Sequence, residues 1–474
     1  MKKLLFFAFL IGCNSNGYCK EFVKLHGTIL HPLADSVKIT YAFTSIKYEP
    51  IVYTSKIDKD GRFAVEFEVR DGYTQIDITN GKQRTELFAA PGTDLTITLD
   101  GNNFDSSLHY EGKGKEIANF MARRIVSGHD LSSFVIQSQK LCAKDPAGFV
   151  AAIKELRNKE IAFMRDNGKD LPVSFKERCE AEYGYSMYSG MQIYPRIHEV
   201  YRQKTNNVKD IPKENYVVMK EVPAAFNDEH LGILSYQSYL TNYYSSKVSC
   251  KNAANGKPTD GFTDFDSLLA FTFREMPPKS AEFMGGRNIF YSIKVRPAKE
   301  MEQAFETYKT HYPRSKNIPI LEDAIALKKN MGSGKPEIDF DITTPEGKQM
   351  KLSDLKGKVV YLDFWERGCM PCIAEMPDAK KIRGHYEGQP VAFVYVSLDT
   401  DDDKWIKAIK DLEIEGINTR LEGKFESSVA KKYGVMAIPS HFLIDKEGKF
   451  APYEVIERPT SSEKLIAQID KLLN

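Results

Sequence analysis

The feature that most constrains this chain is the run Val359, Val360, Tyr361, Leu362 and Phe364, which leads directly into Cys369-Met-Pro-Cys372. A nearly continuous apolar stretch of that length fits a central strand covered on both faces, and the residues from Cys369 onward are compatible with a helix. The first turn of a helix carries unpaired N–H groups and the positive end of the dipole, so a thiolate on Cys369 is favoured over the thiol. Cys369 is the candidate nucleophile. Cys372 lies one turn later on the same face, close enough to attack a mixed disulfide on Cys369 and release the partner as a dithiol. Half a zinc site has the same spacing. A four-ligand site needs a second pair, and Cys13, Cys19, Cys142, Cys179 and Cys250 do not form one. The context favours redox chemistry, with no metal expected.

Several further pieces follow in a fixed order: Lys351-Leu-Ser-Asp-Leu-Lys-Gly-Lys-Val359, Asp363-Phe-Trp365, Glu375-Met-Pro377, Tyr433-Gly-Val-Met-Ala-Ile-Pro-Ser440 and Phe442-Leu-Ile-Asp445. On these residues the segment from about Pro336 to Asn474 resembles the thioredoxin-fold module of the TlpA-like (ResA-like) thiol-disulfide oxidoreductases, which are tethered to membranes. The resemblance implies an enzyme whose only redox group is the Cys369/Cys372 pair, with no cofactor. It implies a cis peptide between Ile438 and Pro439, facing the cysteines and offering a backbone edge to the substrate chain. Asp363 and Glu375 match the acids these families carry near the pair, and either can shuttle the proton that Cys372 must lose. The bland alternative is a strand-end aspartate and a half-exposed helix glutamate. Trp365 is read mainly as core, with a secondary part in shaping the substrate site.

The chain also departs from the family pattern. Gly368 stands where tryptophan is common, preceded by Glu366 and Arg367, whose opposing effects on Cys369 have no net sign from sequence. No histidine lies between the cysteines, so reduction of partners is the expected direction. A peroxidase of the related peroxiredoxin type needs Thr-x-x-Cys, and Glu366 occupies the threonine position.

At 474 residues, 42% hydrophobic and 28% charged, the chain has a soluble composition and room for two or three domains. A net charge of +1 without basic blocks gives nucleic-acid binding no support. Residues 1–20 read as an export signal and tether: a Lys-Lys start, an apolar run too short for a permanent span, and Leu10-Ile-Gly-Cys13, a lipobox that would lipidate Cys13. Ordinary cleavage near Tyr18 or Cys19 is the alternative. The expected location is the periplasmic side of the envelope of a Gram-negative bacterium. The membrane contact is a lipid anchor, and the partners are exported clients with disulfides and an upstream membrane thiol donor. In that oxidising setting Cys19, Cys142, Cys179 and Cys250 can pair in three ways or stay free.

The architecture expected is multidomain. Residues 21–111 alternate with period two and read as an antiparallel β-sandwich, with Asp60-Gly61 and Asn80-Gly81 as hairpin turns. Residues 112–331 form a mainly α region, with Asp145-Pro146 starting one helix and a Ser174-x-x-Glu177 capping box another. Its tyrosines, among them Tyr183, Tyr185, Tyr194, Tyr201, Tyr236, Tyr239 and Tyr243, serve helix packing or a client-binding face. Residues 332–474 are the α/β thioredoxin-like domain, entered by a flexible Gly332-Ser-Gly-Lys335 linker and closed by a Phe442–Ile444/Phe450–Ile456 hairpin and a helix. The competing function is an envelope lipoprotein that binds polypeptides in a chaperone-like way, with an incidental dithiol.

Overall fold

The computed structural model describes residues 22–474 apart from 43, 48–49, 70–71, 205–207, 209–210, 258–263, 294–295 and 454. The expected signal and tether, with Cys13 and Cys19, lie outside the described residues. The chain divides into two compact units, Met1–Met284 and Gly285–Asn474.

In the first unit, eight strands form two four-stranded sheets: β1 (Phe22–Leu30), β2 (Ser36–Ala42), β3 (Pro50–Lys56), β4 (Arg62–Glu68), β5 (Thr74–Asn80), β6 (Gln83–Ala89), β7 (Asp94–Asp100) and β8 (His109–Lys113). The sheet orders are β4-β1-β7-β8 and β3-β2-β5-β6. Period-two alternation turns Val37, Ile39 and Tyr41 of β2 and Leu95, Ile97 and Leu99 of β7 into one shared core. The sheets are not antiparallel throughout, because β1 runs parallel to β7. The two strands are far apart in sequence, so no hairpin dictates their relative direction. Asn80-Gly81 makes the expected tight turn, with Asn80 opposite Gln83 and Gly81 at φ +62°. Asp60-Gly61 is not a hairpin turn: β3 pairs with β2 and β4 with β1, so the chain changes sheets there. The Asp58 carboxylate holds that corner by accepting the N–H groups of Asp60 and Arg62, each at 2.9 Å.

Among the described residues this unit also contains seven α-helices and part of an eighth: α1 (Phe104–Ser107), α2 (Lys115–Val126), α3 (Leu131–Leu141), α4 (Pro146–Asn167), α5 (Val173–Gln203), α6 (Leu234–Ala254), α7 (Phe265–Glu275) and α8 (Pro278–Ser292), within which the division falls. Packing crosses the boundary expected at residue 111, since Ala118 and Ala122 of α2 belong to the β core. Asp145 caps α4 by accepting the Gly148 N–H at 2.8 Å. The Ser174/Glu177 box does not form: α5 begins at Val173 after Pro172, which leaves Ser174 inside the first turn. Most of the tyrosines are packing residues, whereas Tyr201 is exposed. Tyr183, Tyr185, Tyr194, Tyr236, Tyr239 and Tyr243 are buried, and Tyr239 ties a loop to its helix by donating to the Pro223 carbonyl and accepting the Ala225 N–H. Cys142, Cys179 and Cys250 are free thiols, so no pairing among them occurs. Burial pushes Cys142 and Cys179 up to about 12, which keeps both protonated and inert.

The second unit begins with α9 (Ala298–His311) and α10 (Ile318–Asn330) and a small hairpin of β9 (Asp341–Thr343) and β10 (Gln349–Lys351). It continues through β11 (Val359–Trp365), α11 (Met370–His385), β12 (Val391–Ser397), α12 (Asp402–Asp411), β13 (Ile417–Arg420), α13 (Ser428–Lys432), β14 (Ser440–Ile444) and α14 (Ser462–Leu473). The sheet order is β13-β12-β11-β14, with β14 antiparallel to β11 and the other pairs parallel. This is the thioredoxin arrangement. All seven residues of β11 are buried because the sheet is covered twice. Val360, Leu362 and Phe364 face a core with Tyr433, Ile444 and Phe450, and Val359, Tyr361 and Trp365 face another with Cys372, Met376, Leu465 and Ile469. Each such side chain contributes about 2 kcal/mol of burial, so the strand that carries the site is fixed from both sides.

Two expectations at the edge of this unit fail. The Phe450–Ile456 strand is reduced to an Ile444–Phe450 bridge and the Ala451 N–H donating to the Leu443 carbonyl. Pro452 then has no N–H to give, and the Tyr453 N–H turns back to Ala451 at 2.7 Å. Gly332-Ser-Gly-Lys335 is not a free linker. The Gly334 N–H donates to the Phe450 carbonyl and the Phe450 N–H to that of Lys335, at 2.9 and 2.8 Å.

Candidate active site

The end of β11 and the start of α11 build the site. Past Trp365 the chain turns, the Cys369 N–H reaching back to the Glu366 carbonyl at 2.9 Å, and Cys369 becomes the N-cap residue of α11. Pro371, in the first turn, has no N–H to satisfy. The Cys372 N–H points at the Cys369 sulfur, 3.2 Å away. In this structure Cys369 and Cys372 are joined as a disulfide with Cα atoms 5.3 Å apart. Cys372 is 1% exposed, whereas Cys369 is half-buried, so an incoming disulfide meets Cys369.

The two charges before Cys369 are both neutralised by partners. Arg367 pairs with buried Asp399 at 3.2 Å, and Glu366 with Lys424 at 3.1 Å. The side chain left projecting beside the sulfur is Met370, 63% exposed.

Asp363 and Glu375 are both buried, which overturns the half-exposed alternative for the glutamate. Asp363 sits on the β11 face that carries Tyr361 and Trp365, and Glu375 one helical turn beyond Cys372. The structure adds His441, which the sequence analysis missed. β14 pairs Asp363 directly with His441, and the histidine Nε2 lies 3.3 Å from Asp363 Oδ1 and 3.3 Å from Glu375 Oε2. A single N–H aimed between two oxygens makes a well-formed hydrogen bond to neither. The other Glu375 oxygen is paired with Arg458 Nε. Burial pulls the imidazole down, but the Asp363 and Glu375 carboxylates outweigh it and push it up to about 9. The signal that would have found His441 is positional: once the strand after Pro439 is laid antiparallel to β11, a histidine two residues past the proline falls opposite Asp363.

The Ile438–Pro439 peptide is cis. Pro439 lines a cavity of 210 Å³ together with Tyr433, Met436, Phe442 and Arg458, and Ile438 packs against the core that holds Cys372. Trp365 is fully buried, so it bears on the site through packing and does not itself meet a substrate. Among the described residues no cluster of His, Cys, Asp and Glu could hold a metal ion, and no helix is long and apolar enough to cross a membrane.

A vicinal cysteine pair at a helix start, one sulfur reachable and the other shielded, performs reversible two-electron exchange with another disulfide. The fold and the site together define a thioredoxin-fold disulfide oxidoreductase. The sequences of known proteins agree. The model of the AhpC/TSA family matches residues 333–451. Thiol-disulfide oxidoreductase ResA of Bacillus anthracis is 32% identical over 159 residues, 32% of this chain and 86% of that protein. ResA of Bacillus subtilis (strain 168) is 32% identical over 130 residues, 27% of this chain and 71% of that protein. The crystal structure of a putative thiol-disulfide oxidoreductase from Bacteroides vulgatus, 32% identical, aligns with 30% of this chain and 99% of its own at a TM-score of 0.28. The chain belongs, through its C-terminal unit, to the ResA-like thiol-disulfide oxidoreductases.

Proposed function

We propose that this chain reduces disulfides of exported proteins, on the periplasmic side of the envelope of a Gram-negative bacterium. The observation that carries the roles is the unequal exposure of the two sulfurs. The Cys369 thiolate attacks a client disulfide, forming a Cys369–client bond and releasing one client thiolate. Cys372 gives its proton to Asp363 or Glu375 and attacks the Cys369 sulfur. The Cys369–Cys372 disulfide forms and the second client thiolate leaves, so two electrons pass from enzyme to client. The redox-active disulfide is the only cofactor, and an upstream membrane thiol donor restores the dithiol. Pro439 and Ile438 offer the client a backbone edge, and exposed Met370 an apolar contact.

The purified chain, recycled with dithiothreitol, is expected to accelerate reduction of insulin disulfides, and the Cys369→Ser/Cys372→Ser double variant to fall to the uncatalysed rate. A double variant that keeps its cellular role in full would favour the chaperone-like binder with an incidental dithiol.

The membrane contact in this proposal is a lipid on Cys13, motivated by Leu10-Ile-Gly-Cys13. Intact mass of the membrane fraction should begin at a lipidated Cys13. An unmodified chain starting near Lys20 in the soluble fraction would exclude the anchor.

A further inference from the structure

His441 is the more shielded of the two cations that face the buried carboxylates near the dithiol, at the wall of the cavity that Pro439 also lines. Its side chain is 5% exposed, against 52% for Arg458, the other cation of the cluster. Water screens Arg458 on its outer side, so the compensation it gives a buried carboxylate is weaker than that of a shielded imidazolium. The ring is held in place: Tyr361 stacks on it with centroids 5.6 Å apart and planes 20° from parallel, and β14 fixes its backbone opposite Asp363. The groups facing it from each packed element are Asp363 and Tyr361 on β11, Glu375 on α11 and Arg458 on the segment after β14, with Tyr395 of β12 beyond Asp363. Burial, reinforced by the Asp363 charge, keeps both tyrosines neutral. Two carboxyl groups and two basic side chains remain, a formal sum of zero.

We propose that His441 is a positioning residue for the resolving step: its charge offsets the second buried carboxylate, leaving one carboxylate able to take the Cys372 proton. This rests on the dithiol mechanism proposed above. When Cys372 passes its proton to a carboxylate, the cluster goes from zero to +1 beside the new thiolate. Without the histidine charge it goes from −1 to zero, and the thiolate loses that favourable neighbour. The raised affinity of the imidazole for its proton fixes the pH window. The charge is present at lower pH and is lost as pH rises through about 9. His441 is therefore charged throughout pH 6 to 8.

The test uses the full reduced chain and oxidised glutathione, with acid quenching and intact mass to separate two steps: formation of the Cys369–glutathione adduct and its resolution by Cys372. In the wild type, resolution is expected to be flat from pH 6 to 8, because the proton acceptor is internal. In His441→Gln, resolution is expected to slow about tenfold at pH 7 and to rise with pH as bulk base takes over. The change should appear in the second step and not in the first, a split that a general loss of packing would not produce. In a Glu375→Gln background only one carboxylate needs compensation, so the His441→Gln effect should shrink to about twofold. Equal resolution rates in wild type and His441→Gln overturn the proposal. So does a wild-type resolution rate that climbs about tenfold per pH unit between 6 and 8, a measurement that needs no variant to fold. If the wild type forms no glutathione adduct at all, the oxidoreductase mechanism fails first, and the two failures are distinct.

Discussion

Cys372→Ser is expected to leave client proteins covalently attached to Cys369, visible as high-mass bands on non-reducing gels that collapse on reduction. The resolving thiol sits one helical turn from the mixed disulfide, and an intramolecular thiol at that range has an effective concentration no bulk thiol reaches. Removing it should lengthen the life of the adduct by roughly a thousandfold or more. Cys369→Ser should accumulate no adducts, because Cys372 is shielded from any bulky disulfide. Adducts on Cys369→Ser and none on Cys372→Ser would exchange the two roles. The attached clients, identified by mass spectrometry, would also reveal the natural substrates.

Gly27→Ala is expected to destabilise the first unit severely while leaving the dithiol chemistry of the C-terminal unit intact. Gly27 lies in β1 beside Ile97 of β7, and a Cβ there would overlap the Ile97 carbonyl and its carbon. The obstacle is backbone in the middle of a paired sheet, which cannot swing aside as a side chain can. Overpacking of this kind costs about 3 kcal/mol, enough to lower the melting temperature of a unit this size by roughly 5 °C. Calorimetry of the variant checks it, with glutathione exchange at Cys369 measured in parallel. An unchanged melting profile would mean that the two strands part readily at this point.

What could be read in advance, and what could not, divides along physical lines. β11 was legible because both its faces are buried, and no surface alternation confuses a fully apolar run. The cysteine pair was legible because its spacing is a local signal, and the cis proline because the motif around it resembles that of the family. His441 was not: its importance comes from residues 66 and 78 positions away, brought to it by strand pairing and helix packing. The parallel β1/β7 contact was hidden for the same reason. Gly332-Ser-Gly-Lys335 has the composition of a linker, yet its backbone is bonded to Phe450, a partner that composition does not reveal. The tyrosines of the first unit were recognised as a group, but their burial is decided by which loops their hydroxyls reach.

The pairing of Arg367 with Asp399 and of Glu366 with Lys424 bears on how a client is chosen. A protein that steers its partners by charge leaves a field of one sign around its reactive atom, and capture then weakens as salt is added. Here the approach to the sulfur is electrically quiet, and its most prominent contact is the flexible, apolar Met370. Such a surface favours no particular sequence. If the chain reduces exported proteins as proposed, it should select disulfides that an incompletely folded chain still presents alongside apolar residues, so that the folding state of the client, more than its charge, decides which proteins are reduced.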